Sequence, residues 1–284
     1  MSQGPEDEGP ALPPPLALPD NLRAPQAGPE VAEVADYERY FGITRTSQGP
    51  DGWTRGLLAT QAMVLADLPA ARLADHERTA LLTGLLLLNH LSLTAAAPDA
   101  AGAELPWQGP RGPAEPGAAA LWRWRLGHQL FHLLLTAMNR ELDRASAAAG
   151  SAGWPPLIAA LKRLTVLYDA ATATMSYAAD FGPDTYREQV RPTMRPPFVS
   201  PGFSGVFNRE HRELTTLMRA LRRTLGELAA GGGLPAEVAE AADLVRGAQR
   251  RNRANHLRVC EACVPDGVSL LREHLDRADG GPAA

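Results

Sequence analysis

Cysteine is scarce in this chain: there are two, Cys260 and Cys263, three positions apart. A pair that close shuts too small a loop to staple a fold, so thiols or ligands are the readings left. Lysine is scarcer still, with Lys162 the single one among 28 Lys and Arg residues, a bias that follows the Ala, Gly and Pro content and carries no function. Long apolar runs are missing. No stretch approaches the roughly 18 to 20 residues that cross a bilayer, and the first residues lack the basic start and apolar centre of a signal peptide. Blocks of like charge are missing too: 28 basic and 32 acidic residues are interspersed for a net charge of -4, which leaves no electrostatic footprint for nucleic acid. These absences predict a soluble, cytoplasmic protein with no membrane or nucleic-acid partner and a small ligand.

What is present is a chain of 284 residues, 45% hydrophobic, enough for a substantial core. Residues 1–30 are rich in Pro, Gly and acidic side chains, which bury too little apolar surface to offset ordering entropy, and a disordered tail is expected there. From Ala32 onward the apolar spacing is helical. His76 to Leu93, Ala120 to Ala145, Pro156 to Ala178, Phe207 to Leu228 and Pro235 to Ala262 each repeat at i, i+3, i+4 and i+7. Loops are expected at Ala95 to Ala118 and Ala229 to Pro235, convincing strands are absent, and no repeat period emerges. The expectation is an all-α bundle of long helices, one domain spanning 31–284.

One connection breaks the pattern. Asp180 to Phe207, "DFGPDTYREQVRPTMRPPFVSPGFSGVF", carries five prolines and three arginines between two helices. A structureless connection of that length in a bundle is more often functional than idle. Its arginines, and the "GFSG" before a helix N-terminus, suit a carboxylate.

Two stretches carry candidate chemistry. "NHLRVCEACVPDG", Asn255 to Gly267, has the order H-x-x-x-C-x-x-C. Zinc would find His256, Cys260 and Cys263 but no fourth ligand. A redox pair expects a preceding strand. The plain alternative is a core helix ending at Val264–Pro265 with two packing thiols. Haem is the remaining reading, an axial imidazole followed one turn later by a thiol at the porphyrin edge, with the order reversed from the C-x-x-C-H of c-type cytochromes. The second stretch, "GHQLFHLLL", places His128 and His132 one turn apart on an apolar face. His211, in "NREHREL", sits on a charged face and by default is solvated.

Together these residues resemble a known superfamily. "GHQLFHLLLTAMNREL" is similar to the tryptophan 2,3-dioxygenase helix that carries the distal haem-pocket histidine, and "YREQVRPTMRPPFVSPGFSGVFNREHREL" to the stretch that holds the substrate's amino-acid end. "RRNRANHLRVCEACVPDGVSLLREHL" falls where the proximal histidine stands. The Gly-Phe-Gln-Ser of that family is reduced here to "GFSG", and its Gly/Ser-rich loop to "PDGVS". The H-x-x-x-C element resembles instead the bacterial tyrosine and 3-methyltyrosine hydroxylases of the same haem-dependent aromatic oxygenase superfamily.

That resemblance implies an all-α, tryptophan dioxygenase-like bundle enclosing a b-type or thioether-linked haem. His256 becomes the proximal iron ligand, Cys260 the thiol beside the haem edge, His211 the earlier histidine of the motif, and Cys263 a packing thiol. His128 becomes the distal acid–base. Arg195, and second Arg187, would hold the substrate carboxylate, with Phe198 and Phe203 as walls and Ser204 at the amino-acid end. The implied reaction is hydroxylation of L-tyrosine to L-DOPA with hydrogen peroxide, in antibiotic or other secondary metabolism, by a homo-oligomer (dimer or tetramer). A 3-methyl-L-tyrosine hydroxylase, an indole ring-opening dioxygenase and a haem-free helical binding protein are the alternatives.

Overall fold

The computed structural model describes residues 12–20, 31–46, 50–93, 111–264 and 268–279. Its helices are α1 (Val31–Phe41), α2 (Pro50–Asp67), α3 (Asp75–Leu93), α4 (Pro116–Gly150), α5 (Trp154–Ala178), α6 (Pro183–Thr185), α7 (Arg209–Ala230), α8 (Ala236–Cys263) and α9 (Leu270–Asp279). The architecture is mostly helical, as the periodicity predicts. Among the described residues no helix is long and apolar enough to cross a membrane.

Helix α4 is the spine, with 35 residues, about 52 Å of axis. It starts earlier than the periodicity shows, because Glu115 caps it. The Glu115 carboxylate accepts from the Gly117 and Ala118 N–H groups at 2.9 and 2.6 Å, and Pro116 sits at a position whose N–H would be orphaned anyway. Helix α5 packs along it and is covered in turn by α3 and α8. Small residues let these axes approach: a Cβ on Gly127 would fall 2.5 Å from the Ala178 Cβ, and one on Gly84 would fall 2.2 Å from the Ala170 Cβ. Leu126, Leu130, Leu133, Leu157, Leu164 and Leu167 fill the seam, fully buried. Cutting one to alanine costs about 2 to 5 kcal/mol.

Part of the stretch expected to be disordered is folded. Residues 12–20 enter the structure as strand β1 (Leu16–Pro19), parallel to β2 (Ile43–Thr46), with Leu16 opposite Ile43. Leu16 and Leu18 are buried, and Gln129 on α4 donates its side-chain N–H to the carbonyls of Pro14 and Phe41 at 3.0 and 3.1 Å. Gly42, at φ +67°, makes the turn from α1 into β2. The remainder of the 1–30 stretch, and most of the expected Ala95 to Ala118 loop, lie outside the described residues.

The connection after α5 is wound rather than structureless. From α6 it runs through a wide π turn (Tyr186–Val190), a 3₁₀ turn (Arg191–Met194) and a second 3₁₀ turn (Gly205–Phe207) before α7. Its prolines bar a continuous helix, while Tyr186, Val190, Met194 and Val199 bury apolar side chains beneath it.

Candidate active site

Helix α1 turns Tyr37, Tyr40 and Phe41 toward the face of α4 that carries Trp124, His128 and His132. The i, i+3, i+4 spacing on one helix meets the i, i+4, i+8 spacing on the other. The His128 ring stacks on Phe41, with centroids 4.1 Å apart and planes 9° from parallel, and Trp124 leans on it at 4.2 Å. Phe203 completes the aromatic wall, 5.5 Å from Tyr37 and 4.9 Å from Tyr40.

His128 Nδ1 lies 2.7 Å from the Trp124 carbonyl oxygen, an acceptor, so Nδ1 carries the proton and Nε2 a lone pair. The aromatic surroundings hold the imidazole neutral. Its pKa falls to about 3, chiefly through lost solvation, against the pull of the Trp124 carbonyl and with a smaller push from His132. No described residue hydrogen-bonds to Nε2. Its Nε2 lone pair is therefore open to a donor, on a ring whose burial makes it a weak base.

His132, one turn on, is occupied. Its Nδ1–H donates to Glu210 at 2.8 Å and its Nε2 accepts from the Asn208 amide at 3.3 Å. The direction of the second bond is fixed, because Asn208 Oδ1 caps α7 by accepting from the His211 N–H at 2.9 Å, which leaves Nδ2 as the donor. Glu210 also pairs with Arg45, itself bonded to Glu38. Burial favours the neutral acid at Glu210, yet His132 and Arg45 outweigh it and hold the carboxyl well below the usual range. With both ring nitrogens committed, His132 is structural, and it fixes the start of α7.

That start presents His211. The Asn208 cap places His211 in the first turn of α7, where its exposed ring is an electrostatic neighbour of His256 on α8; surrounding protein and then the charge of His256 lower the His211 pKa. His256 and Cys260 share one exposed face of α8, with Cys260 Sγ 3.7 Å from His256 Nε2. Partial burial and then Glu261 raise the Cys260 thiol pKa. Cys263 turns the other way, is buried, and has its pKa pushed up to about 11 by desolvation and then Cys260. The three zinc candidates thus do not converge, and no described group of three or more His, Cys, Asp or Glu could hold a metal ion.

An imidazole with a thiol one turn beyond it is a donor set of the kind haem takes, His211 on α7 lies within electrostatic reach of His256, and Leu257, exposed beside that pair, offers apolar surface. Tyr186 links this face to the aromatic wall: it lies 6.1 Å from Trp124, and its pKa rises to about 12, mainly by burial, with Cys263 and Cys260 among the groups acting on it.

The residues expected at the amino-acid end of a substrate stand elsewhere. Arg195 and Arg191 both pair with Glu273 on α9, tying the wound connection to the C-terminal helix. Arg187 pairs with Asp184 on the surface. Phe198 is 62% exposed and forms no wall. Ser204 caps the Gly205–Phe207 turn, accepting from the Val206 N–H at 3.4 Å. Of that set Phe203 alone joins the His128 surroundings. Sequence reasoning passed over Tyr37, Tyr40, Trp124, Asn208 and Glu210. The i, i+4 pair Trp124 and His128 was the signal available for one of them.

The family model described as SfmD 3-methyl-L-tyrosine peroxygenase matches residues 10–248, and the chain belongs to that family. The match spans His128 and His211 and ends before His256. A 3-methyl-L-tyrosine peroxygenase from Streptomyces lavendulae is 31% identical over 245 residues, covering 83% of this chain and 64% of the relative, so the chain spans just under two thirds of that protein's length. No solved structure matches.

Proposed function

We propose that the chain is a haem-dependent peroxygenase that hydroxylates the phenol ring of a tyrosine-type amino acid with hydrogen peroxide. The observation that carries this reading is the His256–Cys260 pair on one exposed face of α8, with Sγ 3.7 Å from Nε2 and His211 at the start of α7 within the electrostatic reach of His256, in a chain of this family. His256 would hold the haem iron, His211 would supply the second imidazole, and Cys260 would lie at the edge where a thioether can form. Haem bound there supplies the oxidation.

The other residues act on protons and position. His128 Nε2 takes a proton from peroxide and returns it to the departing oxygen, a task suited to an imidazole kept neutral at physiological pH. Tyr37, Phe41, Trp124 and Phe203 wall off water around it. The relative's name favours 3-methyl-L-tyrosine as the first substrate to test; L-tyrosine, giving L-DOPA, is the second.

The test is product analysis. Haem-supplied protein given peroxide and either amino acid yields a product heavier by one oxygen atom, in proportion to peroxide consumed. A ring-opened product, or turnover of tryptophan with O₂ instead, overturns the reading.

A further inference from the structure

Arg125 stands out among the arginines around the candidate site. Arg123 is clamped by Asp67 and Asp180, Arg45 by Glu38 and Glu210, Arg191 and Arg195 by Glu273, and Arg187 by Asp184. Arg125 pairs with no carboxylate among the described residues. Its guanidinium lies over the Tyr40 ring, 4.4 Å from the centroid, and its Nε is buried with no hydrogen-bond acceptor. The neighbouring Trp124 Nε1 is likewise buried and unanswered.

Two adjacent buried donors without acceptors carry an unrecovered desolvation cost. The hydroxyl of Tyr40 does not satisfy them. Thr193 donates to the Val190 carbonyl at 2.7 Å, so the Tyr40 O–H donates to Thr193 Oγ1 at 2.7 Å. Arg125 and Trp124 both act on the Tyr40 oxygen as side-chain donors and favour its ionisation against burial, while Arg125 Nε and Trp124 Nε1 themselves find no acceptor in bonding geometry. What is missing is an anion with two acceptor oxygens. A carboxylate has that form and binds a guanidinium fork by charge-assisted bonds.

Position along α4 narrows the ligand. Arg125 is three residues before His128, on the same face, with about 4.5 Å of rise between them. That is the scale of the separation between the carboxylate and the ring of an aromatic amino acid. Tyr40 beneath Arg125 and Phe41 beneath His128 are adjacent on α1, so one pair of helices frames both ends.

We infer that Arg125, assisted by the Trp124 indole N–H, binds the α-carboxylate of the aromatic amino acid whose ring is processed beside His128. This rests on the proposed function and assigns to Arg125 the part that the loop motif suggested for Arg195.

Calorimetric binding of L-tyrosine, 3-methyl-L-tyrosine and tyramine, which lacks the carboxylate, to haem-supplied wild type, Arg125→Gln, Arg125→Lys and Arg195→Gln tests it. Wild type is expected to prefer the amino acids over tyramine by about tenfold or more. Arg125→Gln should abolish that preference while tyramine binding stays within about twofold, Arg125→Lys should recover part of it, and Arg195→Gln should leave it intact. Equal affinity of wild type for tyramine and tyrosine overturns the assignment even if the Arg125 variants fold poorly. So does a selective loss in Arg195→Gln in place of Arg125→Gln. Carboxylate-selective binding through Arg125 without hydroxylated product would instead uphold the site and sink the peroxygenase reading.

Discussion

His132 Nδ1 lies 2.8 Å from Glu210 Oε2, both side chains shut away from solvent, and this pair joins the middle of α4 to the first turn of α7. Arg45 supplies the countercharge from β2, and Asn208 closes the other side of the imidazole. The network sets the turn that carries His211.

Removing one member strands the others. Glu210→Leu leaves the His132 N–H without its buried acceptor and Arg45 with Glu38 as its remaining partner, and a cost of about 1 to 3 kcal/mol is expected. Urea unfolding measures it. A loss below about 1 kcal/mol would mean the network is dispensable. Tyr37→Phe, which removes one weak acceptor of the Asn208 amide at 3.3 Å, should cost about 1 kcal/mol.

His128 gives the fold an acid-sensitive element. Its folded pKa is about 3, against 6.5 for a free imidazole, so between those values the unfolded chain binds a proton that the folded chain does not. The contribution is intact above about pH 6.5 and fades as pH falls toward 3. His128→Phe should flatten the loss of stability between pH 6.5 and pH 4 relative to wild type, measured by urea unfolding at several pH values. An unchanged slope would show that the imidazole charges freely in the folded protein. In the holoenzyme, His128→Ala should keep its haem and lose about 10² to 10⁴ in turnover.

The α4–α5 seam is predicted to be intolerant at Gly127. An alanine there puts its Cβ into Ala178, and a cost of about 1 to 3 kcal/mol is expected from overpacking. Ala178→Gly in the same chain should restore part of it. Additive losses in the double variant would contradict the contact.

The long helices α3, α4, α5, α7 and α8 were legible from their period because each buries a stripe along its own length, and the predicted Pro156 to Ala178 and Pro235 to Ala262 differ from α5 and α8 by a residue or two, whereas α1, α2 and α9 were not named. Strand β1 was not legible. Its four residues, "LALP", gain their meaning from β2 in a parallel pairing across α1, and a Pro-rich local composition gives no hint of that partner. Leu18→Asp should therefore destabilise the fold by several kcal/mol as an unpaired buried charge, whereas a disordered tail would tolerate it. The site divides the same way. His256 and Cys260 were legible as an i, i+4 pair on one helix. The commitment of Arg195 to Glu273 was invisible, because α9 meets the connection only in three dimensions.

The most direct test of the account is the visible absorption spectrum of the purified, haem-supplied protein, with acid–acetone extraction before and after Cys260→Ser. The account predicts a Soret band in wild type, its loss in His256→Ala, and colour that stays with the wild-type polypeptide and becomes extractable in Cys260→Ser. A protein that takes up no haem, or whose spectrum is indifferent to His256, would contradict it and leave the exposed end of α8 without a cofactor.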